Sequence, residues 1–122
     1  MNRIKVSPNF SLHEFQCTGA GQVHNHVMLD SKLLAKLQQL RTAIGRPIII
    51  NSAFRCPQRN AQVGGSPRSQ HMLGTAADIR VNGMTPVQVA AAAEKIGFQG
   101  IGTYRTFTHV DTRTGPRARW NG

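Results

Sequence analysis

Acidic side chains are scarce in this chain. Its 122 residues hold five Asp and Glu against fifteen Lys and Arg, a formal charge of +10 with neutral histidines. Such an excess disfavours cationic partners and favours anionic ones: nucleic acid, an acidic membrane, or an acidic polymer such as a cell wall. No zinc finger, no basic region with heptads and no aromatic RNP-like strand accompanies the charge, and its one dense patch is the tail RTGPRARW. No specific nucleic-acid binding is therefore expected, and the charge reads as steering. Long apolar runs are missing as well. Nothing approaches the roughly 20 residues needed to span a bilayer, so no membrane insertion is expected. The opening MNRIKVSPNFSLHEF is basic but lacks an apolar stretch, which reads as no secretory signal; action outside the cytoplasm would need another means of release. Cysteine is limited to Cys17 and Cys56, which form no CxxC pair. Two buried thiols are the first reading and one disulfide the second.

What remains is a length suited to a single domain with one core, taken as residues 1–122. Ser11 and Glu14 in FSLHEF have capping-box spacing for a short helical turn, which Phe10, Leu12 and Phe15 would pin to the core. The glycine-rich stretch that follows reads as a loop. Residues 30–44 form the clearest helix, with Leu33, Leu34, Leu37, Leu40 and Ile44 on one face, Asp30 or Ser31 at its start and Gly45 and Pro47 at its end. PIIINSAFR is a β-branched strand, and CPQRNAQVGGSPRSQ is a polar stretch able to carry a site. TAADIRV reads as a second strand. Thr85, Pro86 and Gln88 launch a helix to about Ile96, which Gly97 terminates. Two short strands joined near Arg105 close the chain. The class is α+β.

One of the five carboxylates, Asp78, falls inside the apolar strand TAADIRV. A buried carboxylate needs a partner, whether arginine, hydrogen-bond donor or metal. His71 lies seven residues earlier in SQHMLGTAAD. On a helix that spacing would separate the two by about 10.5 Å, too far for one metal ion. A turn at Gly74 feeding into a strand would instead return Asp78 past His71, and Ala76 on the same strand face would leave room beside it. His109 in FTHVDTR supplies a third ligand, with Phe107 and Asp111 sharing its face. Two histidines and a carboxylate suit a catalytic zinc with one position open for water. Pairing of Asp78 with Arg55 or Arg80 is the plainer alternative.

Several other residues allow two readings. Ser69 and Gln70 either contact a substrate or stabilise the turn before His71. Tyr104 either donates a hydrogen bond to a substrate or is a strand-end core residue. His24 and His26 in HNH read as a solvated pair, and Arg113, Arg117 and Arg119 as a solvated basic rim.

SQHMLGTAAD resembles the Ser-x-His-x-x-Gly-x-Ala-x-Asp signature of the M15 zinc peptidases, the D-alanyl-D-alanine peptidase group, with HVD as the second histidine motif. SPNFSLHEFQC, IIINSAFRCPQRNAQVGGSPRSQH, GFQGIGTY and RARW extend the likeness over nearly the whole chain, toward the small M15 domains of phage endolysins. The resemblance implies a hedgehog/D-Ala-D-Ala-peptidase-like fold, a small, mostly antiparallel sheet with flanking helices. It implies one Zn2+ held by His71, Asp78 and His109, with Arg55 near a substrate carboxylate or the developing oxyanion. It also implies peptidoglycan peptides as substrates, and a monomer kept in a host cytoplasm until release to the wall, or carried on a virion. The chain departs from the family where well-studied members place a glutamate three residues, or a histidine two residues, before the last ligand. Here those positions are Thr106 and Phe107, leaving Asp111 as the nearby carboxylate and the expected catalytic general base that holds the attacking water, with a partner orienting a ligand as the alternative. The rival to a peptidase is a non-catalytic wall-binding or virion module that keeps its zinc for stability.

Overall fold

The computed structural model describes residues 4–17, 27–55, 60–61, 63–65 and 69–122. Cys56, His24 and His26 lie outside them, so the readings given to those three residues stand as expectations. Strands β1 (Lys5–Ser7) and β2 (Phe10–Ser11) form a small antiparallel pair that runs into a 3-10 turn at Leu12–Phe15. There the Ser11 amide donates to the Glu14 carboxylate at 2.6 Å, as the capping-box spacing predicts. Phe10 and Phe15 meet edge to face and are fully buried.

Helix α1 (Ser31–Ile44) starts at Asp30, whose carboxylate accepts from the amides of Lys32 and Leu33. It stops at Gly45, where the backbone turns left-handed with φ 73°. Helix α2 (Pro86–Ile96) starts at the reciprocal Thr85–Gln88 box with proline in its first turn, and ends at Gly97. The two helices pack on one face of a five-stranded sheet made of β3 (Ile49–Ser52), β4 (Ala76–Arg80), β5 (Gly100–Thr103), β6 (Thr108–Asp111) and β7 (Ala118–Asn121). Its order is β3-β4-β6-β5-β7, antiparallel except for the β5–β7 pair. Leu33, Leu37 and Leu40 of α1, Val89 and Ala93 of α2, and Ala77, Ile79, Ile101 and Val110 of the sheet make one core. This is the α+β arrangement read from the sequence.

Strand β7 was not legible as a strand. Its pairing to β5 is parallel and depends on lateral contact rather than on a hairpin turn. Two arginines of the tail are also less free than a solvated rim: Arg117 and Arg119 both pair with Glu94 on α2, fastening the tail to the helix layer.

Because side chains alternate across a strand, the face of the sheet opposite the core is left to other residues. The register aligns them in a row. Ser52 lies opposite Asp78, Asp78 opposite His109, His109 opposite Gly102, and Gly102 opposite Trp120. A shift in the β3–β4 pairing between Ile50 and Ser52 brings Ser52 into this row.

Candidate metal centre

His71 reaches the row from outside the sheet. It sits on a 3-10 turn, Gln70–Leu73, capped by the Ser69 hydroxyl, which accepts from the His71 amide at 3.2 Å. Gly74 ends the turn with φ 73°, and a Cβ there would lie 2.6 Å from the Met28 carbonyl oxygen, so glycine is required on both counts. The Thr75 hydroxyl lies within hydrogen-bond distance of the Gln70 carbonyl oxygen and of its side-chain oxygen, tying the turn to β4.

One ligand atom from each of His71, Asp78 and His109 lies within 4.8 Å of the other two. His71 Nε2 and His109 Nδ1 are each 3.1 Å from Asp78 Oδ1. The outer nitrogens are already committed. His71 Nδ1 is 2.6 Å from the Ala53 carbonyl oxygen, and His109 Nε2 is 2.7 Å from Asp111 Oδ2. With hydrogens on those outer nitrogens, neutral imidazoles aim two lone pairs at one carboxylate oxygen. That is repulsive unless a proton or a cation stands among them. The donor set therefore fits a divalent metal, with each histidine oriented through its second nitrogen.

The electrostatics agree. In the metal-free protein burial opposes the charged form of Asp78, but protonated imidazoles of His109 and His71 beside it outweigh that cost and hold the carboxyl below its ordinary range. Burial likewise opposes the His109 imidazolium, yet Asp111 and Asp78 on its two sides raise its pKa in the metal-free protein. Asp111 is fully buried. It stays ionised because hydrogen bonds from His109 and Arg113 outweigh the cost of burial. Arg113 grips it with two bonds, Nε to Oδ1 at 2.9 Å and Nη2 to Oδ2 at 2.7 Å. Gly100 makes room for this carboxylate, since a Cβ there would come within 2.3 Å of both oxygens.

The centre opens into a cavity of about 740 Å³. Of the residues singled out in the sequence, Arg55, Ser69, Gln70, His71, Asp78, Tyr104 and His109 all border it, whereas Asp111 does not. Arg55 Nη2 lies 3.9 Å from Asp78 Oδ2, so the arginine partner weighed for Asp78 is present at the margin of the cluster. Arg80, the other arginine weighed, bonds Asn51 and Asn82 instead. Tyr104 stacks on Phe107 with ring centroids 4.5 Å apart, and its hydroxyl oxygen accepts from Trp120 Nε1 at 2.9 Å. Trp120 also faces the His109 ring at 5.0 Å.

Sequence reasoning missed Trp120, Asn51, Ser52 and the inward role of Arg113, all of which line the cavity. A tail with the chain's single tryptophan was the available signal for β7. Arg113 is a correction: it is bound to Asp111 and lies over the Trp120 ring at 5.2 Å, so it belongs to the site and not to a solvated rim.

Comparison with known proteins agrees with this geometry. The model of the Peptidase M15 family matches residues 8–111. The zinc D-Ala-D-Ala carboxypeptidase of Streptomyces albus G is 42% identical over 67 residues, covering 54% of this chain and 26% of that protein. The probable peptidoglycan L,D-endopeptidase MepK of Haemophilus influenzae is 32% identical over 111 residues, covering 83% of this chain and 57% of that protein. The chain thus spans little more than half, or about a quarter, of the length of these relatives.

Proposed function

The chain belongs to the Peptidase M15 family, and from that premise we propose that it is a zinc-dependent peptidase that hydrolyses amide bonds in the stem peptides or cross-bridges of peptidoglycan. The observation that carries the reading is the convergence of His71, Asp78 and His109 in a cavity, with the outer nitrogen of each histidine already satisfied. These three residues would hold the ion. Zinc so held supplies Lewis acidity toward the scissile carbonyl and makes water a nucleophile near neutral pH.

The remaining roles fall to the chain's own side chains. Arg55, permanently cationic and beside Asp78, meets the negative charge that develops on the carbonyl oxygen or grips a substrate carboxylate. Ser69 and Gln70 hold the His71 turn and present polar groups to the peptide. The Tyr104 oxygen is an acceptor for Trp120, which leaves its own hydrogen for the substrate. For Asp111 we favour the orienting role over that of general base. Its complete burial, its absence from the cavity wall and the engagement of both its oxygens by His109 and Arg113 support that assignment. The setting we propose is that of a phage-endolysin-like monomer acting on the anionic wall, to which its net charge of +10 suits it.

One observation favours the second reading, a zinc-bearing wall-binding or virion module. Among the described cavity residues Asp78 is the only carboxylate, so no separate acidic base faces the centre. The test is mass spectrometry of muropeptides incubated with purified zinc-loaded protein. New peptide fragments, lost together with bound zinc in Asp78→Ala, support the peptidase. Intact muropeptides from every wall type, with zinc stoichiometrically bound, establish the module instead.

A further inference from the structure

The cavity has a second wall whose chemistry the peptidase reading leaves largely unused. Tyr104, Phe107, Arg113 and Trp120 line the cavity as one contiguous group. Arg113 is anchored on two sides. Its Nε and Nη2 hold Asp111, and its guanidinium lies against the Trp120 ring. Its side chain nonetheless remains 27% exposed, and Nη1 donates no hydrogen bond to any described residue. A guanidinium fixed along one edge and one face presents its remaining edge with little conformational freedom left to lose, which is the condition for tight binding of a carboxylate.

Charge favours the same ligand. Among the described residues Arg55 and Arg113 balance Asp78 and Asp111, so a divalent ion at the centre would leave these groups with two positive charges in excess. The neighbours are aromatic: the Trp120 ring against the guanidinium, and the stacked Tyr104–Phe107 pair joined to it by the Trp120–Tyr104 hydrogen bond. Aliphatic atoms fit against such rings while a carboxylate reaches the guanidinium.

We propose that Arg113, Trp120 and the Tyr104–Phe107 pair form a subsite for a free carboxylate of the substrate peptide, distinct from the position served by Arg55. This rests on the peptidase reading. The carboxylate has two possible sources, the peptide's C-terminus or an acidic residue within it, and the chemistry recognised is the same.

The experiment compares three synthetic stem peptides, one with all carboxylates free, one amidated at the C-terminus and one amidated internally. Each is assayed for kcat/KM with the zinc-loaded protein. The quenching of Trp120, the chain's single tryptophan, measures binding of the same peptides independently of cleavage. Amidation at the recognised position lowers kcat/KM by about 10- to 100-fold, the range for losing a hydrogen bond between charged groups, and the arm that responds identifies the source. In Arg113→Gln the acid-to-amide ratio falls to about one, even though loss of the Asp111 contact slows the enzyme on every peptide. Arg113→Lys, which keeps the charge, restores part of the ratio. A wild-type ratio near one for both amidated peptides overturns the subsite, as does a ratio that Arg113→Gln leaves unchanged. If no peptide is cleaved while zinc is bound, the peptidase reading fails, and the acid preference in Trp120 quenching then decides the subsite alone.

Discussion

Asp111 and Gly102 show how the centre is held, and each carries a prediction. Asp111→Asn keeps the shape but not the charge that fixes the His109 ring and its tautomer. Zinc affinity is expected to fall by about 10- to 100-fold, the usual effect of removing a group that orients a metal ligand, measured by chelator competition. A variant that binds zinc as tightly as the wild type yet has lost hydrolysis would instead make Asp111 the base. Gly102 gives Trp120 its place: a Cβ there would lie 2.4 Å from the indole Cε2 and 2.5 Å from Nε1. Gly102→Ala must therefore displace the ring from His109 and from Tyr104. The expected result is a loss of about 1–3 kcal/mol in stability, the usual cost of overpacking, with a shift in tryptophan emission. At this scale the sequence was informative where function follows from local spacing. His71, Gly74 and Asp78 lie within eight residues, and the need to partner a buried acid led from them to a metal. Asp111, Arg113 and Trp120 were harder to place, because their partners lie across the sheet.

Helices α1 and α2 were legible nearly to the residue because their signals are local. Asp30 and Gly45 bracket one, and Thr85, Pro86, Gln88 and Gly97 bracket the other. The strands of the sheet's interior were readable from β-branched runs and alternation. The tail was not, since β7 is fixed by a parallel partner and by Arg117 and Arg119 reaching Glu94 more than twenty residues back. This clamp between β7 and α2 is sensitive to acid. The hydrogen bonds from Arg119, aided by the charges of Arg119 and Arg117, depress the Glu94 pKa from 4.5 to about 2. A carboxyl with a depressed folded-state pKa stabilises the fold above its unfolded value and loses that contribution as pH falls toward the folded one. The stability difference between wild type and Glu94→Gln should therefore be constant above about pH 5 and close as pH falls from about 4.5 to about 2. Denaturant midpoints across that range measure it, and a gap independent of pH would exclude the clamp.

Over the whole molecule, the scarcity of acid observed at the outset becomes an economy of placement. Glu14 and Asp30 serve caps, Glu94 holds the tail, and Asp78 and Asp111 serve the centre. Each of the five carboxylates has a structural or site contact, and the net charge of +10 that fifteen Lys and Arg leave over them suits the anionic wall of the proposed reading. Because metal binds the folded chain and not the separated ligands, it stabilises the fold by mass action. Free zinc at about 100 times its dissociation constant contributes about 2.7 kcal/mol. Chelation should lower the melting temperature by on the order of 10 °C in the wild type and leave Asp78→Ala unchanged, as read by thermal denaturation with and without chelator.

The row that runs from Ser52 through Asp78, His109 and Gly102 to Trp120 has a consequence for assembly of the sheet. Sliding β4 or β6 by a single residue would send Asp78 or His109 to the helix-covered side and turn a core residue such as Ile79 or Val110 out in its place. Only the correctly aligned sheet can therefore capture the ion. The cation acts as an alignment pin, penalising mispaired strands that hydrogen bonding alone would tolerate.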